Sequence, residues 1–312
     1  MHEFVRLAVS VALALSFALQ STPPARPKIL GVAHIAVFVS DVEKARVFYR
    51  DLLGFDESFT LPAKDGSIDV IFMKINDRQW IELINRPNAG EGQLDHIALY
   101  SDSADRMRGY LASRGVKVPA NTEKDRTGNK SFVVVDPDGH DVEIIEYQSG
   151  SLTAKNAGKP LSANAISTRA MHVGILVGQL EKSTDFYDGI LGFREFWRGN
   201  AATSKTLSWV NMRVPDGDDY IELMLYENLP APANRGSAHH LCLEVADVAK
   251  AVAAFDARPV RAAYTREVAI RTGVNRKRQV NLFDPDGTRV ELMEPSTIDG
   301  KPTPSSTLPP PK

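Results

Sequence analysis

Four histidines and four glutamates recur in the same order along this sequence, and their types and spacing are suited to binding a metal ion. Each histidine lies in an apolar segment that opens a repeated unit, and each glutamate lies in an apolar segment that closes one. The histidines are His34, His96, His172 and His240, and the glutamates are Glu82, Glu143, Glu222 and Glu291. Because an unpaired carboxylate among apolar residues costs free energy, we expect a cation to neutralise these glutamates.

Two imidazoles and two carboxylates around a divalent ion form a neutral group that suits a half-buried site. Nitrogen and oxygen ligands without sulfur favour Ni²⁺, Co²⁺, Mn²⁺, Fe²⁺ or Zn²⁺. Such an ion acts as a Lewis acid on a small molecule with adjacent oxygen atoms. We expect one glutamate to detach and act as a general base, and Glu143 and Glu291 are the candidate catalytic residues.

The alternative for any one of these residues is a structural or solvated role, which is the commoner case for isolated polar residues. Recurrence in four units favours the metal-ligand interpretation. His239 competes with its neighbour His240 as the fourth histidine ligand. The register of His240-Leu-Cys-Leu matches that of His96-Ile-Ala-Leu, so the sequence favours His240.

The elements that must position these residues are also repeated. Residues 32–39 are rich in β-branched residues and predict a strand. Ser40 and Glu43 predict a capping box that starts a helix, and Gly54 predicts its end. The same pattern returns over residues 171–193, so the repeat is architectural.

Four such units predict an α+β fold made of β-α-β-β-β modules. The modules are residues 28–84, 94–147, 169–226 and 238–295. Paired two by two, they form a first domain (28–147) and a second domain (169–295). Residues 148–168 are polar and without periodicity, which indicates a linker. Residues 296–312 are rich in proline and serine, which predicts a disordered tail.

Net charge, cysteine content and the N-terminal segment indicate which partners, cross-links and location to expect. A net charge of −2 gives no reason to expect nucleic acid or an anionic membrane as a partner. The one cysteine, Cys242, excludes an intrachain disulfide. Arg6 precedes an apolar run over residues 7–19, which is shorter than the roughly 20 residues that span a bilayer. Residues 1–21 therefore predict a signal peptide and export, periplasmic or secreted; an uncleaved anchor or a buried helix is the alternative.

The chain resembles the vicinal oxygen chelate superfamily, which contains glyoxalases, bleomycin-resistance proteins and extradiol dioxygenases. The resemblance rests on the histidine strand followed by Phe-Tyr and Leu-Gly-Phe, and on the turns Asp-Pro-Asp-Gly at 136–139 and 284–287, each followed by x-x-Val-Glu. It extends over residues 28–295. It implies curled mixed sheets around a cleft, with ligands on the first and last strand of each module.

The resemblance also implies how the eight residues group. Within the first half they would be His34, Glu82, His96 and Glu143, and within the second half His172, Glu222, His240 and Glu291. The alternative is that sites form across the halves. Both groupings imply a divalent metal and a cleft for a small molecule.

Three functions are compatible with this family. The first is a metal-dependent, glyoxalase-like lyase or isomerase with glutamate as the base. The second is an Fe²⁺-dependent extradiol ring-cleaving dioxygenase, although the tyrosine of those enzymes is replaced by Val133 and Asn281. The third is a non-catalytic binding or resistance protein. Glutathione-dependent glyoxalase is disfavoured because Phe38 and Leu176 stand where its arginine would be.

Basic residues in two equivalent loops are candidates for binding an anionic substrate, and a solvated loop is the alternative. They are Arg126 and Lys130 in the second module, and Arg271, Arg276, Lys277 and Arg278 in the fourth.

Overall fold

Each half of the chain forms one eight-stranded mixed sheet, and the strand order is the same in both halves. The structure is a computed structural model that describes residues 24–86, 92–231 and 234–312. The predicted signal peptide, residues 1–21, lies outside the described residues. Within these ranges, no helix has both the length and the apolar character needed to cross a membrane.

The described residues of the first half form eight strands and two helices. Its strands are β1 Ile29–Val39, β2 Asp56–Pro62, β3 Ile68–Lys74, β4 Trp80–Asn85, β5 Leu94–Ser101, β6 Glu123–Lys124, β7 Lys130–Val135 and β8 Asp141–Glu146. Its helices are α1 Val42–Arg46, which continues as the π-helical segment Val47–Leu52, and α2 Ala104–Ser113. Helix α3, Leu152–Asn156, lies in the predicted linker.

The second half repeats this plan. Its strands are β9 Ala170–Val177, β10 Arg194–Gly199, β11 Trp209–Arg213, β12 Tyr220–Leu225, β13 His240–Glu244, β14 Arg271–Thr272, β15 Lys277–Phe283 and β16 Arg289–Thr297. Its helices are α4 Leu180–Thr184, which continues as the π-helical segment Asp185–Ile190, α5 Val248–Asp256, and the 3₁₀ turn Arg261–Ala263.

The sheet order joins two consecutive modules edge to edge. In the first half it is β2-β3-β4-β1-β5-β8-β7-β6, and the second half has the equivalent order. Strand β1 is parallel to β4 and antiparallel to β5, which opens the second module. The predicted α+β class and curled mixed sheets are therefore confirmed, and the modules pair within each half.

Side chains alternate between the two faces of each strand, so one face of the sheet packs in the core and the other faces the cleft. On β1, Ile35 and Val37 belong to the main core, whereas Ala36 packs in a smaller cluster on the opposite face. The main core contains buried residues from both halves. His34 and Glu82 share the parity of the cleft face, so the strand period itself places them in the cleft.

Helix α1 begins one residue later than the sequence predicted. The Oδ1 atom of Asp41 accepts hydrogen bonds from the backbone N–H groups of Glu43 and Lys44, at 3.0 and 3.1 Å. Ser40 is not the capping residue, because its hydroxyl donates to the carboxylate of Asp286 in the second half, as does its backbone N–H at 2.9 Å. The Ser40 and Glu43 capping box is therefore wrong, and a contact between the halves replaces it.

The two Asp-Pro-Asp-Gly turns dock on the opposite halves. The hydroxyl of Tyr49 donates to Oδ2 of Asp284 at 3.0 Å, and the hydroxyl of Tyr187 donates to Oδ2 of Asp136 at 3.0 Å. All four side chains are buried. The Phe-Tyr and Asp-Pro-Asp-Gly motifs therefore join the halves by reciprocal contacts.

Residues 298–312 contain no helix or strand, but they are hydrogen-bonded to the second half. The N–H of Ser306 donates to the carbonyl of Arg198 at 2.9 Å, and the N–H of Leu207 donates to the carbonyl of Pro309 at 2.8 Å. This differs from the disorder that the composition predicts, because backbone groups along the tail find partners in and after β10.

Candidate metal centre

In the first half the four predicted ligands converge on the cleft face of the sheet. The Nε2 atoms of His34 and His96 are 2.8 Å apart. From Nε2 of His34, the Oε2 atoms of Glu82 and Glu143 lie at 3.2 and 3.1 Å. From Nε2 of His96, both carboxylate oxygens lie at 3.7 Å. We call these four residues the first quartet.

This geometry fits one bound ion. Donor atoms held by one ion at about 2.0–2.2 Å stand roughly 3–4 Å from one another, and the two imidazoles have about this spacing from each other and from each carboxylate. The ligand atoms of His34, His96 and Glu143 all lie within 4.8 Å of one another. Two imidazoles and two carboxylates also supply the charge that balances a divalent cation, as the sequence predicted.

A neighbouring carboxylate sets the tautomer of one histidine ligand. Oδ2 of Asp95 lies 2.7 Å from Nδ1 of His96. Because an ionised carboxylate only accepts hydrogen bonds, Nδ1 carries the proton and Nε2 presents its lone pair to the quartet. Carboxylates in this position commonly orient metal-binding histidines.

The two glutamates of the first quartet differ in their surroundings. Burial raises the pKa of Glu82 to about 8. Burial also opposes ionisation of Glu143, but its contacts with His34 and His96 outweigh burial and lower its pKa to about 2. Glu143 is therefore the more firmly held anion of the two.

The first quartet lines a cavity of about 270 Å³. The apolar part of its wall consists of Leu61, Val70, Phe72, Trp80, Ile145 and Tyr147. Arg126, which the sequence analysis named as a candidate anion-binding residue, lies on the polar side of the wall. Its guanidinium donates to the carbonyl of Pro62 at 2.6 Å and contacts the carboxylate of Asp69. The site is thus open to a small molecule.

The second half brings together its own four predicted residues, the second quartet. The Nε2 atoms of His172 and His240 are 3.0 Å apart. Oε2 of Glu291 lies 3.6 Å from Nε2 of His172, and Oε2 of Glu222 lies 3.5 Å from Nε2 of His240. His239 is not a member, because its ring packs against His140 with centroids 5.2 Å apart. The choice of His240 over His239 agrees with this placement.

The charge around the second quartet is different. Nη2 of Arg289 lies 2.5 Å from Nδ1 of His240. A guanidinium only donates, so Nδ1 accepts and the proton of the ring lies on Nε2, the atom that faces the quartet. The carbonyl of Ala238 is 3.1 Å from Nδ1, but it also accepts from the same guanidinium at 3.2 Å. The ligand atoms of His172, His240 and Glu291 lie within 4.8 Å of one another, as those of His34, His96 and Glu143 do, but the tautomer of His240 and the positive charge of Arg289 make this site less favourable for a metal ion than the first quartet.

Burial reinforces the difference in charge between the two quartets. It lowers the pKa of His172 and His240 well below the ordinary range, with Arg289 adding to the effect. Burial raises the pKa of Glu222 to about 8. Nδ1 of His172 is buried and has no hydrogen-bond partner among the described residues. A cavity of about 330 Å³ lies in this half, and none of the four quartet residues lines it.

Sequence reasoning missed the two residues that distinguish the quartets, Asp95 and Arg289. Each is one or two positions from a predicted ligand, and neighbours on a strand normally point to opposite faces. Asp95 reaches its own neighbour, and Arg289 lies opposite His240 in the parallel register of β13 and β16. A comparison of charges at equivalent positions of the two halves is the signal that identifies them.

Comparison with curated proteins finds similarity to methylmalonyl-CoA epimerases. The mitochondrial protein of Mus musculus is 36% identical over 89 residues, which are 26% of this chain and 48% of that protein. The chain thus spans about half the length of this relative. The mitochondrial protein of Bos taurus is 24% identical over 159 residues, which are 46% of this chain and 90% of that protein.

Solved structures of extradiol enzymes share the fold. Homoprotocatechuate 2,3-dioxygenase from Brevibacterium fuscum, in complex with 3,4-dihydroxyphenylacetate, superposes with a TM-score of 0.64 at 20% identity, covering 92% of this chain and 87% of that chain. The 2,3-dioxygenase LapB from Pseudomonas sp. KL28 superposes with a TM-score of 0.66 at 16% identity, covering 89% and 97%. At these identities the likeness concerns the fold alone.

The family profile supplies the assignment. The profile of the Glyoxalase/Bleomycin resistance protein/Dioxygenase superfamily matches residues 31–144 and residues 169–292. These two stretches are the two halves seen in the structure, and the resemblance inferred from the motifs is confirmed. The chain belongs to the Glyoxalase/Bleomycin resistance protein/Dioxygenase superfamily and carries one copy of the family fold in each half.

Proposed function

We propose that the chain is a metal-dependent lyase or isomerase that moves a proton on a small molecule with adjacent oxygen atoms, and that its working centre is the first quartet. One observation carries this proposal. The Nε2 atoms of His34 and His96 stand 2.8 Å apart, and each lies 3.1 to 3.7 Å from the Oε2 atoms of Glu82 and Glu143, on the wall of an open cavity.

Three residues of the first quartet would hold the ion. They are His34, His96 and Glu143, whose ligand atoms all lie within 4.8 Å of one another. When bound, a divalent ion supplies Lewis-acid stabilisation of the negative charge that develops on a substrate oxygen. Asp95 keeps the proton of His96 on Nδ1 and so leaves Nε2 free to bind.

Glu82 is the residue that we propose as the general base. Its carboxylate lines the cavity, and the imidazoles of the quartet are its polar contacts. Glu143 also lines the cavity, but its contacts with His34 and His96 lower its pKa to about 2, whereas burial raises the pKa of Glu82 to about 8. Glu82 is therefore the stronger base of the two. The sequence analysis named Glu143 and Glu291 for this role, and the geometry favours Glu82 instead.

The first test is metal stoichiometry. Protein loaded with Ni²⁺, Co²⁺, Mn²⁺, Fe²⁺ or Zn²⁺ and then desalted is expected to retain one ion per chain, because Arg289 disfavours binding at the second quartet. Elemental analysis measures this ratio. The matched variants are His96→Ala, which should lose the ion, and His240→Ala, which should retain it. Two ions per chain, or an ion that only His240→Ala removes, would contradict the assignment.

The second test is proton transfer. Glu82→Gln is expected to keep the ion but to slow exchange of substrate C–H for deuterium by about 10²–10⁴-fold, whereas Glu222→Gln should leave the rate unchanged. A panel of 2-oxoaldehydes and 2-hydroxyketones in D₂O, followed by NMR, provides the measurement. Exchange that persists after exhaustive chelation would rule out the metal-dependent mechanism.

A ring-cleaving oxygenase is the second candidate. It is favoured by the combination of two histidines and one carboxylate, the ligand set associated with Fe²⁺ oxygenases, and by aromatic residues in the cavity wall, Phe72, Trp80 and Tyr147. Oxygen uptake by the Fe²⁺-loaded protein with catechols would replace the first proposal by this one.

A further inference from the structure

The second half contains a cleft cavity whose lining differs in kind from that of the first half. Its volume is about 330 Å³, and the side chains that define its chemistry are Phe196, Trp197, Asn211, Tyr220, Lys277 and Lys301. Among the described residues no acidic side chain lines it. The second quartet lies outside this lining, so the cavity offers a small molecule cationic and aromatic groups but none of the metal-ligand candidates.

Strand register shows that this cavity is the counterpart of the one in the first half. Asn211 pairs with Glu222 on β11 and β12, as Phe72 pairs with Glu82 on β3 and β4. A polar amide therefore replaces a phenyl ring at the same place in the cleft. The Oδ1 atom of Asn211 is buried and has no hydrogen-bond partner within the described part of the chain. Such an atom normally has a partner.

Two further polar groups at this cavity also lack partners. The indole Nε1 of Trp197 is buried without a hydrogen-bond acceptor among the described residues. Lys277 is partly buried and forms no ion pair with the residues that the structure describes, including Glu244 and Glu291, which lie in its vicinity. An unpaired ammonium group in such a place favours a bound anion.

The remaining wall suits a flat ring. Phe196 and Tyr220 meet edge to face with centroids 5.1 Å apart, and the guanidinium of Arg213 stacks on Phe196 at 4.8 Å from its centroid. Residues 300–303 of the C-terminal tail complete the wall and bring Lys301 to it. A volume near the lower end of ordinary ligand pockets, about 300 Å³, suits one ring with a small substituent.

We propose that the second cleft is a metal-independent binding site for a small aromatic carboxylate. In this arrangement Lys277 pairs with the carboxylate, and the ring of the ligand packs against Phe196 and Tyr220. The two halves would thus carry different sites on the same fold. The site is independent of the reaction proposed for the first quartet.

The test uses the full chain after metal removal, with sodium benzoate as the probe and benzamide as its uncharged analogue. Calorimetric titration is expected to show one benzoate per chain. Lys277→Met should weaken binding about tenfold or more, the usual effect of losing a hydrogen bond to a charged group. Lys130→Met, on the corresponding strand of the first half, should bind as wild type does. Benzamide should also bind at least about tenfold more weakly than benzoate, because it has no charge.

Two further variants keep the test decisive if Lys277→Met does not fold. Lys301→Met, which removes the second ammonium group of the lining, should also weaken benzoate binding, and Trp197→Phe should reduce the fluorescence change that binding causes, because Trp197 lines the cavity. The proposal is overturned if benzoate, phenylacetate and 4-hydroxybenzoate all fail to bind. It is equally overturned if binding requires metal, if benzamide binds as tightly, or if Arg126→Met rather than Lys277→Met removes it.

Discussion

Single residues beside the ligands decide the difference between the two quartets. Asp95 accepts a hydrogen bond from His96, whereas Arg289 donates one to His240. Gly174 adds a second difference, because a Cβ atom at this position would lie 2.0 Å from Cε1 of His240. The imidazole of His240 therefore packs directly on the backbone of β9, and the first half has Ala36 at the equivalent register.

Replacement of Asp95 tests its role at the residue scale. Asp95→Asn is expected to lower the metal affinity of the first quartet by about 10–100-fold, the usual cost of losing a group that orients a histidine ligand. Asp141→Asn is the matched control, because Asp141 is exposed and lies opposite His96 in the register of β5 and β8. Competition with a chromogenic chelator measures both affinities. Equal affinities in the two variants would show that Asp95 does not act through His96.

At the scale of elements, the turns before β8 and β16 act as clamps between the halves. Each turn places a buried aspartate on the tyrosine of the other half's π-helical segment. The first aspartate of each turn also accepts N–H bonds from its own backbone, for example from Asp286 and Thr288 to Asp284. Asp136 has an additional partner, Nδ1 of His140 at 2.8 Å. Both clamps therefore pair a tyrosine hydroxyl with an aspartate, but Asp136 has a histidine partner in addition.

Removal of the two tyrosine hydroxyls should reveal this inequality. Tyr49→Phe is expected to lower the free energy of unfolding by about 1–3 kcal/mol, because a buried carboxylate loses a donor. Tyr187→Phe should cost less, since His140 remains as a partner of Asp136. Urea denaturation of both variants measures the difference. A larger loss in Tyr187→Phe would contradict the role given to His140.

For the whole molecule, the main core and the backbone contacts join the halves into one folding unit. The side chain of Gln79 donates to the carbonyl of Ala170 at 2.9 Å and accepts from its N–H at 2.9 Å. The side chain of Gln79 thus forms with Ala170, the first residue of β9, the two hydrogen bonds that a neighbouring strand would form. The main core likewise contains buried residues from both sheets.

This continuity predicts one cooperative unfolding transition. Far-ultraviolet circular dichroism and tryptophan fluorescence should give coincident curves, because Trp80 reports on the first half and Trp197 and Trp209 on the second. Coincidence of independent probes is the usual criterion for two-state behaviour. Two separated transitions would show that the halves unfold independently.

Export remains a proposal that concerns the whole chain. It rests on the apolar segment over residues 7–19 and the preceding Arg6. Fractionation of cells that produce the full chain, with N-terminal sequencing of the product, tests it. A product that keeps residues 1–21 in the cytoplasmic fraction would exclude cleavage and export.

Repetition made much of the fold and the identity of the two quartets predictable. His34 and Glu82 are on the cleft face because strand parity is a local property that the sequence carries. The contact of Arg289 with His240 depends on a distance across strands, and that of Asp95 with its neighbour His96 depends on a side-chain orientation that strand alternation does not predict. The contact of Ser40 with Asp286 could not be predicted from the sequence either. A capping box is identified from four consecutive residues, and Asp286 lies in the other half.

Because each turn contacts the opposite half, the two halves are expected to stay together when the chain is cut between them. Tyr49 with Asp284, and Tyr187 with Asp136, join residues that lie on opposite sides of the linker. A single cut between residues 158 and 164 would leave every one of these bonds in place. The two fragments are therefore expected to migrate as one particle, a non-covalent heterodimer assembled from a duplicated chain.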